Sequence, residues 1–322
     1  MKAVFCESYG SPELVLQLRD VEKPAPGEGQ VLIKVHASSV NISNYYGLTN
    51  LSRLMGGGIR RPKDPRIGSD VAGQVEAVGT NVTKFRPGDE VFGTCAGAFA
   101  EYATAREVRL AMKPANISFD EAAAVPVAGL TALQCLRDKG RLQAGQEVAV
   151  NGASGGVGTF AVQIAKSFGA QVTGVCSTRN LDQARSIGAD HVVDYTKEDF
   201  TRSGRSYDVI CDIAGNRSVS DYKRALKKGG TCWLVGFRGN PLLGIVKFTI
   251  LGKVGTMTGD KKINFMGIAK INAEDLGFMA ELLKAGKVKP VIEKRYTLGE
   301  AGQALRYIGG KHTQGKVVIT IS

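Results

Sequence analysis

Nowhere in its 322 residues does this chain carry an apolar run approaching the ~18 residues of a membrane-spanning helix. Histidine is scarce, limited to His36, His191 and His312. The cysteines (Cys6, Cys95, Cys135, Cys176, Cys211 and Cys232) include no C-x-x-C pair and no nearby histidine, which excludes the usual zinc motifs. Several, Cys211 and Cys232 among them, lie in apolar runs and read as small, reduced, buried hydrophobes. Acid is also short: 30 Asp and Glu against 42 Lys and Arg leave a formal charge of +12. The basic residues fall in small clusters such as Arg60-Arg61-Pro62-Lys63 and Lys227-Lys228, which a solvated surface explains. The surplus would attract an anionic cofactor, but no recognition motif accompanies it, so nucleic acid is not expected as a partner. The opening Met1–Glu7 segment has no signal-peptide core. The expectation is a soluble, cytoplasmic protein with no membrane partner.

What is present points to an α/β protein: 43% hydrophobic residues and 41 glycines. The most informative run is Asn151-Gly-Ala-Ser-Gly-Gly-Val-Gly158. Glu147–Val150 before it is short and β-branched, so it reads as a buried strand. After it, Val157, Phe160, Ala161, Ile164, Ala165 and Phe168 recur at helical spacing, and Gly169 closes the helix. Strand, glycine turn and helix form a site for a pyrophosphate, because the turn admits close approach and the helix start offers unpaired N–H groups. The turn departs from G-x-G-x-x-G, with Ala153 in the first glycine slot, so its flanks carry the argument.

Residues 1 to about 120 read as β-rich, with candidate strands at 3–6, 14–21, 31–39, 71–78, 90–93 and 99–103. A short helix at 118–124 ends at Pro126, and another covers 128–136. From 147 the pattern alternates. Strands at 147–151, 171–176, 191–194, 208–213, 231–235 and 251–257 are interleaved with helices at 156–168, 181–187 and 219–227. That alternation predicts a doubly wound parallel sheet with right-handed crossovers. The tail supplies helices near 273–285 and 299–308 and a last strand at 316–321, and pairs more naturally with the β-rich part.

In a dinucleotide fold the second strand ends near the adenosine ribose, where an acid would select NAD. Here Gln171–Cys176 runs into Ser177-Thr178-Arg179-Asn180 with no carboxylate following. Hydroxyls and a guanidinium suit a 2′-phosphate, which predicts NADPH over NADH, with Ser177 and Arg179 on the phosphate. The competing reading has Asn180 or Thr178 capping the next helix and Arg179 solvated, and the two are compatible.

Ordered motifs along nearly the whole length then carry a resemblance. They include Gly68-Ser-Asp-Val-Ala-Gly-Gln-Val-Glu-Ala-Val-Gly79, Arg86-Pro-Gly-Asp-Glu-Val-Phe-Gly93 and Gly97-Ala-Phe-Ala-Glu-Tyr102. Further on come Ala122-Ala-Ala-Val-Pro-Val-Ala-Gly-Leu-Thr-Ala132, Gly188-Ala-Asp-His-Val-Val-Asp-Tyr195 and Gly315-Lys-Val-Val-Ile-Thr320. The chain resembles the medium-chain dehydrogenase/reductase superfamily, in its zinc-independent quinone oxidoreductase (ζ-crystallin-like) branch. The resemblance implies a GroES-like catalytic domain (1–122 and 266–322), a Rossmann NADP-binding domain (123–265), and a cleft between them for NADPH. It places Asn41 and Thr131 near the nicotinamide and the Ser154, Gly155, Gly156 and Val157 turn on the cofactor. It also implies Tyr195 near the 2′-phosphate, main chain at Ala214 and Val235 along the groove, and, more weakly, Phe265 and Lys316. A homodimer through the Rossmann sheet edge is implied as well.

Zinc alcohol dehydrogenases carry a cysteine just before the Asn41 region and Gly-His-Glu where this chain reads Gly68-Ser69-Asp70. Neither is present, and catalytic zinc needs about three protein ligands, so no metal is expected. Without that Lewis acid, alcohol oxidation loses its activation. A quinone or enone instead accepts hydride at carbon and spreads the charge onto oxygen, so the protein's task is alignment. Relatives often read Asn-Pro-x-Asp where this chain has Asn41-Ile42-Ser43-Asn44-Tyr45-Tyr46, which makes Asn41, Tyr45 and Tyr46 the catalytic candidates. Either tyrosine could bond the acceptor oxygen or simply pack under the loop. Segment 47–66 reads as a flap. The expected activity is reduction of a small-molecule quinone or enone by NADPH. The competitors are an enoyl-thioester or ketone reductase, an alcohol dehydrogenase on the same scaffold, and a low-turnover NADPH- or RNA-binding protein.

Overall fold

A computed structural model describes residues 1–49, 62–237, 260–310 and 313–321. The chain divides into two compact units, one of Met1–Leu130, Lys270–Gly286 and Pro290–Ser322, the other of Thr131–Ala269 and Lys287–Lys289. The division between these units falls at 130/131. It falls inside one helical stretch, Pro126–Leu133 continued by a π-helical turn at Gln134–Lys139, so no loop marks it in the sequence.

The first unit is built on a seven-stranded sheet. Its path runs Ile292–Thr297, Lys316–Thr320, Gln30–Val40, Asp70–Val78, Glu90–Thr94 and Leu110–Met112, with Tyr102–Arg106 also pairing to Gln30–Val40. The first pair is parallel and the others are antiparallel. Inward residues such as Val31, Ile33, Val35, Val71, Val75 and Val91 form the core, closed by Ala301, Ala304 and Leu305 from helix Ala301–Gly309.

Several expectations shift here. The span 14–21 begins as a helical turn, Pro12–Val15, because Pro12 suits a first helical turn, and only Leu16–Asp20 is extended. The strand read at 99–103 runs Tyr102–Arg106, where Ala103 and Ala105 alternate inward, while Ala100 makes only an isolated bridge to Ala3. Pro126 starts a helix as well as ending one. The sequence gives no sign of strand Ile292–Thr297, because the consecutive charged residues Glu293, Lys294 and Arg295 leave no apolar alternation.

The second unit carries a six-stranded sheet. In spatial order it runs His191–Asp194, Gln171–Cys176, Glu147–Asn151, Tyr207–Asp212, Leu226–Leu234 and Lys262–Phe265, with every pair parallel. Counted along the chain, this order is 3-2-1-4-5-6, the doubly wound arrangement whose switch point lies beside Glu147–Asn151. The strand read at 251–257 lies outside the described residues, and the sixth described strand is Lys262–Phe265.

Candidate functional site

At the switch point, strand Glu147–Asn151 gives way to the glycine turn and helix Gly156–Ser167. Gly152 has φ +95°, and a side chain on Gly158 would overlap the Gly152 carbonyl oxygen, so strand and helix meet backbone to backbone. Gly155 is the N-cap and brings no side chain to the helix start. The first-turn N–H groups at Gly156 and Val157, which lack intrahelical acceptors, are therefore left for an anion.

Beside the turn, Asn180 Nδ2 donates to Ser154 Oγ at 2.8 Å and to Ser177 Oγ at 3.2 Å. Asn180 stands at the N-cap of helix Leu181–Ser186, yet its side chain makes no capping bond. Arg179 is exposed. The Tyr195 N–H bonds the Cys176 carbonyl at 3.0 Å, which sets Tyr195, 44% exposed, next to Ser177. An acid does lie in this region, contributed by the third strand. Asp194 accepts from Thr178 Oγ1 at 2.5 Å and Thr196 Oγ1 at 2.7 Å, and these bonds, led by Thr178, hold its carboxyl below the usual range. Sequence reading missed the roles of Asn180 and Asp194.

The next two loops hang on one residue. Asp212, fully buried, accepts from Asn151 Nδ2 at 3.0 Å, from the Gly215 N–H at 2.7 Å and from the Tyr222 hydroxyl. Burial pushes its carboxyl upward against the pull of those bonds. Its backbone carbonyl accepts from Val235 N at 2.7 Å. A side chain on Gly215 would strike the Gly236 carbonyl, so the loops bearing Ala214 and Val235 lie against each other. Phe265 packs against Phe237 in a tilted arrangement, with ring centroids 5.3 Å apart, at the rim of the second unit's core. Thr131 is half-buried in helix Pro126–Leu133.

In the first unit, Asn41 and Lys316 meet. Lys316 Nζ donates to Asn41 Oδ1 at 2.7 Å and lies 3.5 Å from Asp70 Oδ2. Asn41 Nδ2 donates to the same Asp70 oxygen at 2.8 Å, and Ser39 Oγ donates to it at 2.5 Å. The Val127 N–H serves the other carboxylate oxygen at 3.0 Å. Lys316 is 3% exposed and Asp70 0%, and burial pulls the Lys316 ammonium below its usual value despite Asp70. Tyr45 joins the apolar core, its ring lying on Gly309, while Tyr46 sits beside it with ring centroids 6.0 Å apart. Of the flap read at 47–66, residues 50–61 lie outside those described.

Residues 27–115 match the alcohol dehydrogenase GroES-like domain, and residues 187–319 match the zinc-binding dehydrogenase family. A quinone oxidoreductase from Sus scrofa is 33% identical over 341 aligned positions, covering 100% of this chain and 98% of the relative. A chloroplastic quinone oxidoreductase from Triphysaria versicolor is 32% identical over 337 positions, at 99% and 98% coverage. The chain belongs to the quinone oxidoreductase branch of the medium-chain dehydrogenases/reductases. Among solved structures, the quinone oxidoreductase from Coxiella burnetii superposes with TM-score 0.86 at 28% identity, covering 100% of this chain and 99% of that one. The Escherichia coli quinone oxidoreductase, solved with NADPH, shares the fold at TM-score 0.82 and 24% identity, covering 99% and 100%. This member of the branch is thus an oxidoreductase.

One matching family carries zinc in its name, and the donors here do not fit that ion. Among the described residues, no group of three or more His, Cys, Asp and Glu could hold a metal. Asp70 has Ser69 beside it and is committed to Lys316, Asn41, Ser39 and Val127. His36 stacks on Phe119 at 4.4 Å between centroids, burial lowering its imidazole below the usual value. His191 is exposed, and His312 lies outside the described residues. No described helix is long and apolar enough to cross a membrane.

Proposed function

We propose that this quinone oxidoreductase relative uses NADPH, without zinc, to reduce quinones or α,β-unsaturated carbonyls by hydride transfer. The observation that carries the proposal is the 3-2-1-4-5-6 parallel sheet, with the glycine turn, Ser154, Ser177 and Asn180 gathered at its switch point. Bound there, NADPH would supply the hydride. The chain's own part is binding and orientation. Gly155, Gly156 and Val157 would receive the pyrophosphate, and Ser177, Arg179 and Tyr195 the 2′-phosphate. The loops pinned by Asp212 would present Ala214 and Val235 along the groove. Because the Tyr45 ring is spent on Gly309, Tyr46 is the tyrosine proposed to bond the acceptor oxygen.

The test is NADPH or NADH consumption by the purified chain with a panel of quinones, enones and alcohols. Quinone- or enone-dependent loss of NADPH is expected. Brisk alcohol oxidation with NADP⁺, and no acceptor reduction, would overturn the reading.

A homodimer through the open edge of the Rossmann sheet is proposed alongside. Among the described residues, strand Lys262–Phe265 pairs on one side only. Light scattering at several concentrations tests it. The six free, buried cysteines favour a reducing compartment, in keeping with a proposed cytoplasmic location that fractionation of tagged protein would check.

A further inference from the structure

Three polar side chains from different elements meet beside the glycine turn. Ser154 comes from the turn, Ser177 follows strand Gln171–Cys176, and Asn180 precedes helix Leu181–Ser186. Asn180 is 4% exposed and Ser154 9%, so this is a built cluster rather than a chance surface encounter. Asn180 Nδ2 reaches both hydroxyl oxygens, at 2.8 Å and 3.2 Å.

The direction of those bonds matters. An amide nitrogen only donates, whereas a serine hydroxyl carries one donor hydrogen and two lone pairs. With Asn180 filling a lone pair on each serine, both O–H hydrogens must point elsewhere. Turned over, the amide would accept from both serines and leave only lone pairs facing outward. A phosphate is an acceptor-only group of high charge, while a ribose 2′-hydroxyl both donates and accepts. Two oriented donors, with Arg179 in the same short segment between Ser177 and Asn180, therefore match the first. Asp194, the acid that would suit the second, is engaged by Thr178 and Thr196.

We infer that Asn180 is a positioning residue that fixes Ser154 and Ser177 as hydrogen-bond donors and thereby sets the preference for a 2′-phosphorylated nicotinamide cofactor. The inference rests on the cofactor site proposed above.

The experiment is calorimetric titration of the full chain with NADPH and NADH, and with 2′,5′-ADP and 5′-AMP as fragment probes. Wild type, Asn180→Ala and Ser177→Ala are compared, each checked by thermal unfolding. Asn180→Ala is expected to weaken NADPH and 2′,5′-ADP by about tenfold or more while NADH and 5′-AMP change by about twofold or less. Ser177→Ala removes one oriented donor without touching Asn180 and must lower the same ratio; it carries the test if Asn180→Ala fails to fold. Equal weakening of both cofactors by either variant, with the ratio kept, would mean Asn180 only holds the fold, and the inference falls alone. A wild-type chain that binds neither cofactor would sink the inference together with the reading beneath it.

Discussion

Lys316 and Asn41 are partners across most of the chain's length, Nζ to Oδ1 at 2.7 Å, with neither side chain open to water. The contact fixes the Asn41 amide, since its nitrogen must then face Asp70 and Ser69. Asn41 is thus held by charge at both ends before any ligand arrives.

Removing that charge should be costly. Lys316→Met leaves Asp70 buried with only Ser39, Asn41 and the Val127 N–H, and is expected to lose about 3 kcal/mol of stability in urea denaturation. Adding Asp70→Asn to Lys316→Met should recover much of it, because the uncompensated carboxylate is gone. A double variant no better than the single one would refute this account.

Two glycines of one turn should respond differently. Gly158→Ala drives a methyl group into the Gly152 carbonyl and should cost about 1–3 kcal/mol by thermal unfolding. At Gly155 the nearest atom to an added methyl is 3.6 Å away, so Gly155→Ala should stay within about 0.5 kcal/mol of wild type. Its cost should appear in NADPH titration instead. Equal thermal losses for both would contradict the proposed division of labour.

Asp212 gives a pH signature. Its folded carboxyl titrates above the ordinary aspartate range because it is buried, so the folded chain holds that proton more tightly than the unfolded one. Its contribution to stability is greatest below the unfolded value. It declines as pH rises through the folded value, then levels off. The stability of wild type relative to Asp212→Asn should therefore fall in urea titrations as pH rises above the ordinary aspartate range, and level off once the folded carboxyl has ionised. Tyr222→Phe, which removes one donor to this buried acid, should cost about 1–3 kcal/mol at neutral pH.

Metal removal should change nothing. Dialysis against a chelator is expected to leave quinone reduction intact, with elemental analysis finding no stoichiometric zinc. Loss of turnover restored by zinc would contradict the donor-set argument.

Much of the Rossmann unit is legible in the sequence because its strands are apolar, β-branched and bounded by glycines, as in Glu147–Asn151 and Gln171–Cys176. Ile292–Thr297 is not, since its place depends on a parallel neighbour, Lys316–Thr320, rather than on its own pattern. The buried networks are hidden for a related reason. Asp70 and Lys316 stand 246 positions apart, and Asn180 reaches back 26 positions to Ser154. A lysine opening Lys-Val-Val-Ile-Thr signals a buried charge only once its distant acid is known. Asn180 looks like a helix cap until its side chain is seen to turn to the serines.

The interior placement of every cysteine bears on endurance as much as on packing. Quinones and enones are electrophiles that alkylate thiolates. Burial lifts Cys95 to about 12 and Cys176 to about 11, and moves Cys6 and Cys232 upward too. Cys211 is raised first by its contact with Cys135. If the proposed quinone or enone acceptors are this chain's substrates, its raised and buried thiols are kept away from attack by them.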